Sequence, residues 1–268
     1  MMKPLTLTLR RRPDQRIDLS PLVPHLLARK TASEIERIEL QTTRRRLDLG
    51  EVFRLRMGDA DRICIVGGSD RLDRVGEAMT GGEVLVDGDV GVKAGRLMTG
   101  GRLVIRGQAG PWAASGMGSG VIEISGAAGD RLGGPLAGEM SGMRGGIVVV
   151  RGGAGERAGD RIRRGTIIIE GEAGPYAGSR MIAGTLIVGR KAGALPGFLL
   201  KRGSILLGGG CSELSPTFVD CGRHDLLAIK LLARMVEPYS KRAAALMRRP
   251  FTRLAGDMAV LGKGEIFI

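Results

Sequence analysis

The stretch GEAGPYAGSRMIAGTLIVG, residues 171–189, decides how the whole chain is read. Five glycines surround one apolar run, Thr185-Leu186-Ile187-Val188. Three readings compete: a phosphate-cradling loop, a flexible linker, and one unit of a repeat. A phosphate loop is a single glycine-rich turn between a strand and a helix. A linker carries no apolar ladder to bury.

The stretch recurs along the chain. Related runs are GEVLVDG (82–88), GRLVIRG (101–107), GVIEISG (120–126), GIVVVRG (146–152), GTIIIEG (165–171), GTLIVGR (184–190) and GSILLGG (203–209). The leading glycines are spaced by 19, 19, 26, 19, 19 and 19 residues. A second ladder, Gly91, Gly110, Gly129, Gly155, Gly174 and Gly193, keeps the same step. A third is Met79, Met98, Met117, Met143 and Met181, with Ile162 in the missing place. Three registers sharing one period mark stacked units.

Each run alternates as a strand. Val84/Val86, Leu103/Ile105, Ile122/Ile124, Val148/Val150, Ile167/Ile169, Leu186/Val188 and Ile205/Leu207 share one parity that carries no charge. The other parity holds Glu83, Asp87, Arg102, Arg106, Glu123, Arg151 and Glu170. Period-two alternation places the first set inside and the second outside. Equal spacing with one strand per unit predicts an all-β fold. It is a single-stranded, right-handed parallel β-helix of 19-residue coils, stacked about 4.8 Å apart.

Two features break the pattern. The third unit is seven residues too long, around Gly133-Gly134-Pro135-Leu136-Ala137-Gly138-Glu139, and solenoid insertions emerge as loops that often bind partners. The central outward column reads Leu85, Val104, Glu123, Val149, Ile168, Ile187 and Leu206, so six of seven positions are apolar. A solvated face does not look like this; the chain's own ends or another subunit must cover it. Leu85, Val104, Val149, Ile168, Ile187, Leu206, Pro135 and Leu136 are therefore the expected subunit-interface residues. A further column, two residues before each leading glycine, ends in Arg144, Arg163, Ile182 and Lys201. With Arg164 and Arg202 it forms a basic edge, either a solvated corner or an anchor for carboxylates on a cofactor tail or acidic partner.

The division expected is an N-terminal cap (1–61), the β-helix (62–210) and a C-terminal extension (211–268). In the cap, LTLTLR (5–10) reads as a strand, Ser33 and Glu36 fit a capping box, and ICIV (63–66) is a degenerate first rung. In the extension, residues 226–235 read as an amphipathic helix that Asp225 would cap, and 240–249 as a second, basic helix. DMAVLGKGEIFI (257–268) reads as two short strands about a Gly-Lys-Gly turn.

Net charge is +13, spread as +4, +6 and +3 over those three regions, which favours a basic surface over a nucleic-acid arm. Aromatic residues are 3% of the chain, too few for base-stacking platforms, so no nucleic-acid partner is expected. No apolar run is long enough for a membrane span, and no signal-peptide core follows the first residues. Cys64, Cys211 and Cys221 are odd in number and far apart, which suits a reducing cytoplasm rather than a disulfide framework. Cys211, Cys221, His224 and Asp225 lack the tight spacing of a zinc site, so no metal is expected. No carboxylate pair or nucleophile motif marks catalysis.

The repeated pattern M-x-G-G-x-I-x-V-x-G-x-A-G-x-x-x-G resembles the glycine-rich solenoid shared by glutamate synthase and the C subunit of formylmethanofuran dehydrogenase. Residues 126–190, insertion included, look like that solenoid subunit. The tail LSPTFVDCGRHDL (214–226) and LAGDMAVLGKGEIFI (254–268) resembles its bacterial version, the corresponding solenoid of the formyltransferase/hydrolase complex of methylotrophs. The resemblance covers about residues 40–268. It implies a complex that passes a formyl group from a tetrahydromethanopterin-type carrier to a methanofuran-type amine and hydrolyses it to formate. The formyltransferase subunit would carry out the transfer and the metal-dependent, amidohydrolase-like subunit the hydrolysis, with a fourth subunit present. The solenoid would be a non-catalytic scaffold. Methanofuran-type carriers bear glutamyl chains, which the edge Arg144, Arg163, Arg164, Lys201 and Arg202 would suit. Arg190 replaces a strand-end glycine, and Ile162 a ladder methionine. The competing reading is a stand-alone glutamate-synthase-type solenoid serving an amidotransferase or oxidoreductase; the insertion and the C-terminal helices speak against it.

Overall fold

A computed structural model describes residues 3–268, so the first two residues of the expected cap lie outside the described part. The glycine-led runs become the strands Glu83–Asp87, Arg102–Ile105, Val121–Ile124, Ile147–Val150, Thr166–Ile169, Thr185–Val188 and Arg202–Leu207. Each pairs in parallel with the next, and Asp59–Val66 forms the rung before them. Between regular rungs partners are 19 residues apart, as in Val84↔Leu103 and Ile187↔Leu206, while the first rung pairs two residues further on, Ile63↔Val84. Val121 pairs directly with Ile147, so the seven extra residues leave the sheet register intact. The fold is mostly β, around a large and mostly parallel sheet of the kind a β-helix contains.

The leading glycines are required by two constraints at once. Gly101, Gly120, Gly146, Gly165, Gly184 and Gly203 have φ between +80° and +103°, a region costly for side chains. A Cβ at Gly101 would also sit 2.6 Å from the carbonyl oxygen of Gly82, and one at Gly203 2.6 Å from that of Gly184. The corner therefore packs one backbone directly on the next, and only glycine fits.

Inside the stack, Val84, Val86, Leu103, Ile105, Ile122, Ile124 and their successors are fully buried, as is the whole methionine ladder with Ile162. Burial of such a side chain stabilises by about 1.5–3 kcal/mol. A further ladder, Val90, Ala109, Ala128, Ala154, Ala173 and Ala192, joins neighbouring coils by single parallel bridges.

Both ends of the 13-stranded sheet turn antiparallel. Pro4–Leu9 lies parallel to Asp59–Val66 and antiparallel to Phe53–Arg56. At the other end Lys263–Phe267 continues the stack on Arg202–Leu207, and Phe251–Gly256 and then Val219–His224 add antiparallel strands. These additions occupy strand edges that would otherwise be open to pairing.

Four local expectations are corrected. The capping box is made by Thr31 and Glu34, not Ser33 and Glu36: Glu34 Oε2 accepts from the Thr31 amide at 2.7 Å. Asp225 does not cap the helix Leu227–Val236; it pairs with Lys230 at 2.6 Å. Met258 to Leu261 form a turn rather than a strand, and the hairpin partner of Lys263–Phe267 is Phe251–Gly256. Finally, Val149, Ile168, Ile187 and Leu206 are not surface residues awaiting a partner chain. With Phe267 they form a second core beneath Leu227–Val236 and Lys241–Met247, against Ile229, Ala233, Val236, Ala243, Ala244 and Met247. Pro135 is likewise buried within the chain.

Candidate functional site

The expected basic edge is a true column. The amides of Arg144, Arg163, Ile182 and Lys201 donate to the carbonyls of Met117, Met143, Ile162 and Met181 at 2.7–2.9 Å, the same bond repeated coil by coil. Arg144, Arg163, Arg164, Lys201 and Arg202 are all exposed. Among the described residues none of the five forms an ion pair. The strand face is different. There Arg102 bridges Glu83 at 2.9 Å and Glu123 at 2.8 Å, and Arg151 pairs with Glu170. Positive charge is neutralised on the strand face and left free on the edge.

A second basic group was not apparent in the sequence. Arg131, Arg157, Arg161 and Arg180 adopt left-handed φ of 50–57°, and line a groove of about 470 Å³ beneath the insertion. Trp112, Pro135 and Leu136 line it too. Arg180 is held by buried Asp160 at 2.7 Å, which also accepts from Ser179 Oγ at 2.8 Å. The Arg157 guanidinium lies 4.9 Å from the Tyr176 ring centroid. The repeat held the signal: Arg131 and Arg157 each follow a ladder glycine by two positions.

The insertion is anchored through Glu139. Its carboxylate accepts from Arg96 Nη2 at 2.6 Å and from the Leu136 amide at 2.9 Å. The Arg96 guanidinium, then the Leu136 amide, hold Glu139 below the usual carboxylate range against the opposing effect of burial. Arg96 also faces Glu77 at 3.6 Å. Pro135 is buried and Leu136 half-buried against the groove, while Ala137, Gly138 and Met140 are exposed. Of the expected interface residues, Leu85 and Val104 remain half-buried on the open part of the strand face.

The cysteine–histidine cluster is dispersed. Cys211 lies on a short strand beside Ala192–Ala194. Cys221 is exposed on the outermost strand, and its carbonyl meets His224 Nε2 at 2.9 Å. No cysteine is in a disulfide, and burial pushes the Cys64 and Cys211 thiols up. No helix among the described residues is long and apolar enough to cross a membrane.

No family model matches the chain. It is 52% identical over 263 residues, 97% of this chain and 98% of the relative, to the C subunit of the formyltransferase/hydrolase complex Fhc of Methylorubrum extorquens. Superposed in space, it matches a chain from the crystal structure of the complex FhcABCD of the same organism, solved with methylofuran. The TM-score is 0.92 and the identity 42%, over 98% of both chains. The chain therefore belongs to the family of C subunits of the formyltransferase/hydrolase complex.

Proposed function

We propose that this chain is the non-catalytic scaffold of a cytoplasmic formyltransferase/hydrolase complex, assembled with a formyltransferase subunit, an amidohydrolase-like subunit and the fourth member of the complex. The complex moves a formyl group from a tetrahydromethanopterin-type to a methanofuran-type carrier and releases formate. The observation that carries this reading is the end-to-end match to the Fhc relative, in sequence and in space. The roles of the buried carboxylates support a scaffold. Asp160 holds Arg180, Glu77 holds Arg74, and Asp257 holds backbone amides, so all three serve the fold.

The coils wind right-handed in this reading, as parallel crossovers almost always do. The division into cap (1–61), solenoid (62–210) and extension (211–268) stands with it. In this reading the free cations Arg144, Arg163, Arg164, Lys201 and Arg202 are the edge that meets carboxylates, of a cofactor tail or of an acidic partner.

A tagged chain purified natively from its host tests this. Recovery with the transferase and hydrolase subunits, together with formate release, is expected. A chain recovered alone, or with an amidotransferase, would overturn it.

A further inference from the structure

The segment Asp257 to Gly262 presents four successive apolar side chains at the surface, Met258, Ala259, Val260 and Leu261. Met258 is 51% and Leu261 55% exposed. Such a run on a surface costs solubility unless something covers it. The turn is also rigidly built. Asp257, 1% exposed, accepts from the Ala259 amide at 2.8 Å and the Leu199 amide at 2.9 Å. The Met258 amide donates to the Thr217 carbonyl at 3.0 Å, and that of Gly262 back to Asp257 at 3.0 Å. Order is thus supplied before any partner arrives, which lowers the entropic cost of docking.

Beside the turn lies a cleft of about 330 Å³ floored by Met140, Ile182, Leu199 and Val260. These four come from the insertion, two coil corners and the C-terminal turn. Met140 is 85% exposed. Ile182 is the one apolar member of the basic column, between Arg163 and Lys201. Arg161, Arg180 and Lys201 complete the lining; Arg180 is held by Asp160, while neither Arg161 nor Lys201 has an ion-pair partner among the described residues. An apolar patch edged by two unpaired cations is the anatomy of a protein–protein contact.

We propose that this cleft and turn form the docking surface for another subunit of the complex, one offering an apolar protrusion flanked by carboxylates. The proposal rests on membership of that complex. A second copy of this chain is a poor occupant, because the two basic rims would face each other. A free polycarboxylate chain suits the outer cations, but gains nothing from four apolar floor residues.

The test is native purification of the tagged full-length chain from its host, as wild type and as Val260→Asp/Leu261→Asp. Wild type with all subunits, and a variant of unchanged melting temperature in which recovery of at least one of them falls about tenfold or more, is the expected result. If the turn variant misfolds, Met140→Asp and Lys201→Glu repeat the measurement on exposed side chains, with the same loss expected and equal recovery counting against the surface. Equal recovery by folded variants overturns the surface while leaving complex membership in place. Wild type recovered alone overturns both. Poly-L-glutamate binding that falls as far as subunit recovery in the same variants makes the cleft an anion site and overturns the docking proposal.

Discussion

The outward strand column has two halves that share one backbone geometry and meet different fates. On the early coils Leu85, Val104 and Glu123 are only half-buried, beside the Glu83–Arg102–Glu123 ion pairs. On the later coils Val149, Ile168, Ile187 and Leu206 are fully buried under two helices. The change falls at the first apolar residue after Glu123. Repetition alone builds a stack whose strands are buried on one face. A second buried face requires an element from outside the repeat, and the C-terminal helices reach only part of the column. What remains open is therefore set by the reach of the extension, and not by the solenoid.

The largest expected effect tests this contrast directly. Ile187→Ala should cost about 2–5 kcal/mol, because the cavity lies between the sheet and the helices. Leu85→Ala, on the open half, should cost about 1 kcal/mol, since its side chain already meets solvent. Denaturant midpoints of the two variants measure the gap. Equal costs would mean that the helices pack loosely on the sheet, and the contrast would fail.

The insertion gives the next largest effect. Removing the Glu139 charge with Glu139→Gln should cost about 1.5–3 kcal/mol, the range for hydrogen bonds to charged groups. Its pH dependence has a definite sign. Glu139 is held below the usual value of 4.5 in the folded chain, so its contribution is complete above that value. It is lost as pH falls below 4.5 through the folded value. The melting temperature of wild type should therefore fall more steeply with acid than that of Glu139→Gln. Parallel curves would show that Glu139 does not anchor the loop.

A smaller effect comes from the joint between solenoid and helices. Ser240 Oγ accepts the Ala243 amide at 3.1 Å and donates to Glu170 at 2.6 Å, and Arg151 donates to the Tyr239 carbonyl at 2.9 Å. Ser240→Ala removes the cap and the tie, at about 1 kcal/mol. Hydrogen exchange should rise in residues 241–247 and stay level in the strands. A rise confined to the strands would place the loss elsewhere.

The rungs could be read from the chain because their signals are local and repeated: glycine at each corner, aliphatic residues at one parity, methionine after each turn. The family resemblance was legible in the same residues, and the comparisons bear it out. What covers the apolar column was not legible, because the column shows only that something must. Both the helices and a partner chain satisfied that demand, and the structure assigns four residues to the helices. Residues 257–261 misled because Met, Val and Leu suit a strand as well as an exposed turn. The turn prevails through the bonds of Asp257 and a left-handed Gly262 with φ of +62°. The arginine groove was hidden because left-handed φ at Arg131, Arg157, Arg161 and Arg180 is a property of the coil, invisible in residue preference. Pro135 was expected at a subunit interface and is instead part of the loop's buried footing, while Met140 is the side chain displayed.

The smallest effect separates the two halves in the opposite direction. Arg102 is exposed and bridges two carboxylates, so Arg102→Ala should cost about 0.2–1 kcal/mol at low salt. Screening should erase most of that difference near 1 M salt, where the Debye length is about 3 Å. The same comparison at Arg151, whose carboxylate partner Glu170 also bonds the helix cap Ser240, should retain a larger residue of its cost in salt. Its guanidinium further holds the Tyr239 carbonyl, so the variant loses a tie to the helices as well as a surface charge. If both variants lost their effects equally in salt, the ladder would be a uniform surface feature. If only Arg102→Ala did, the ion-pair row is one row in sequence and two in mechanics. Its early part then lies passive in solvent, and its later part is built into the joint that buries the second core.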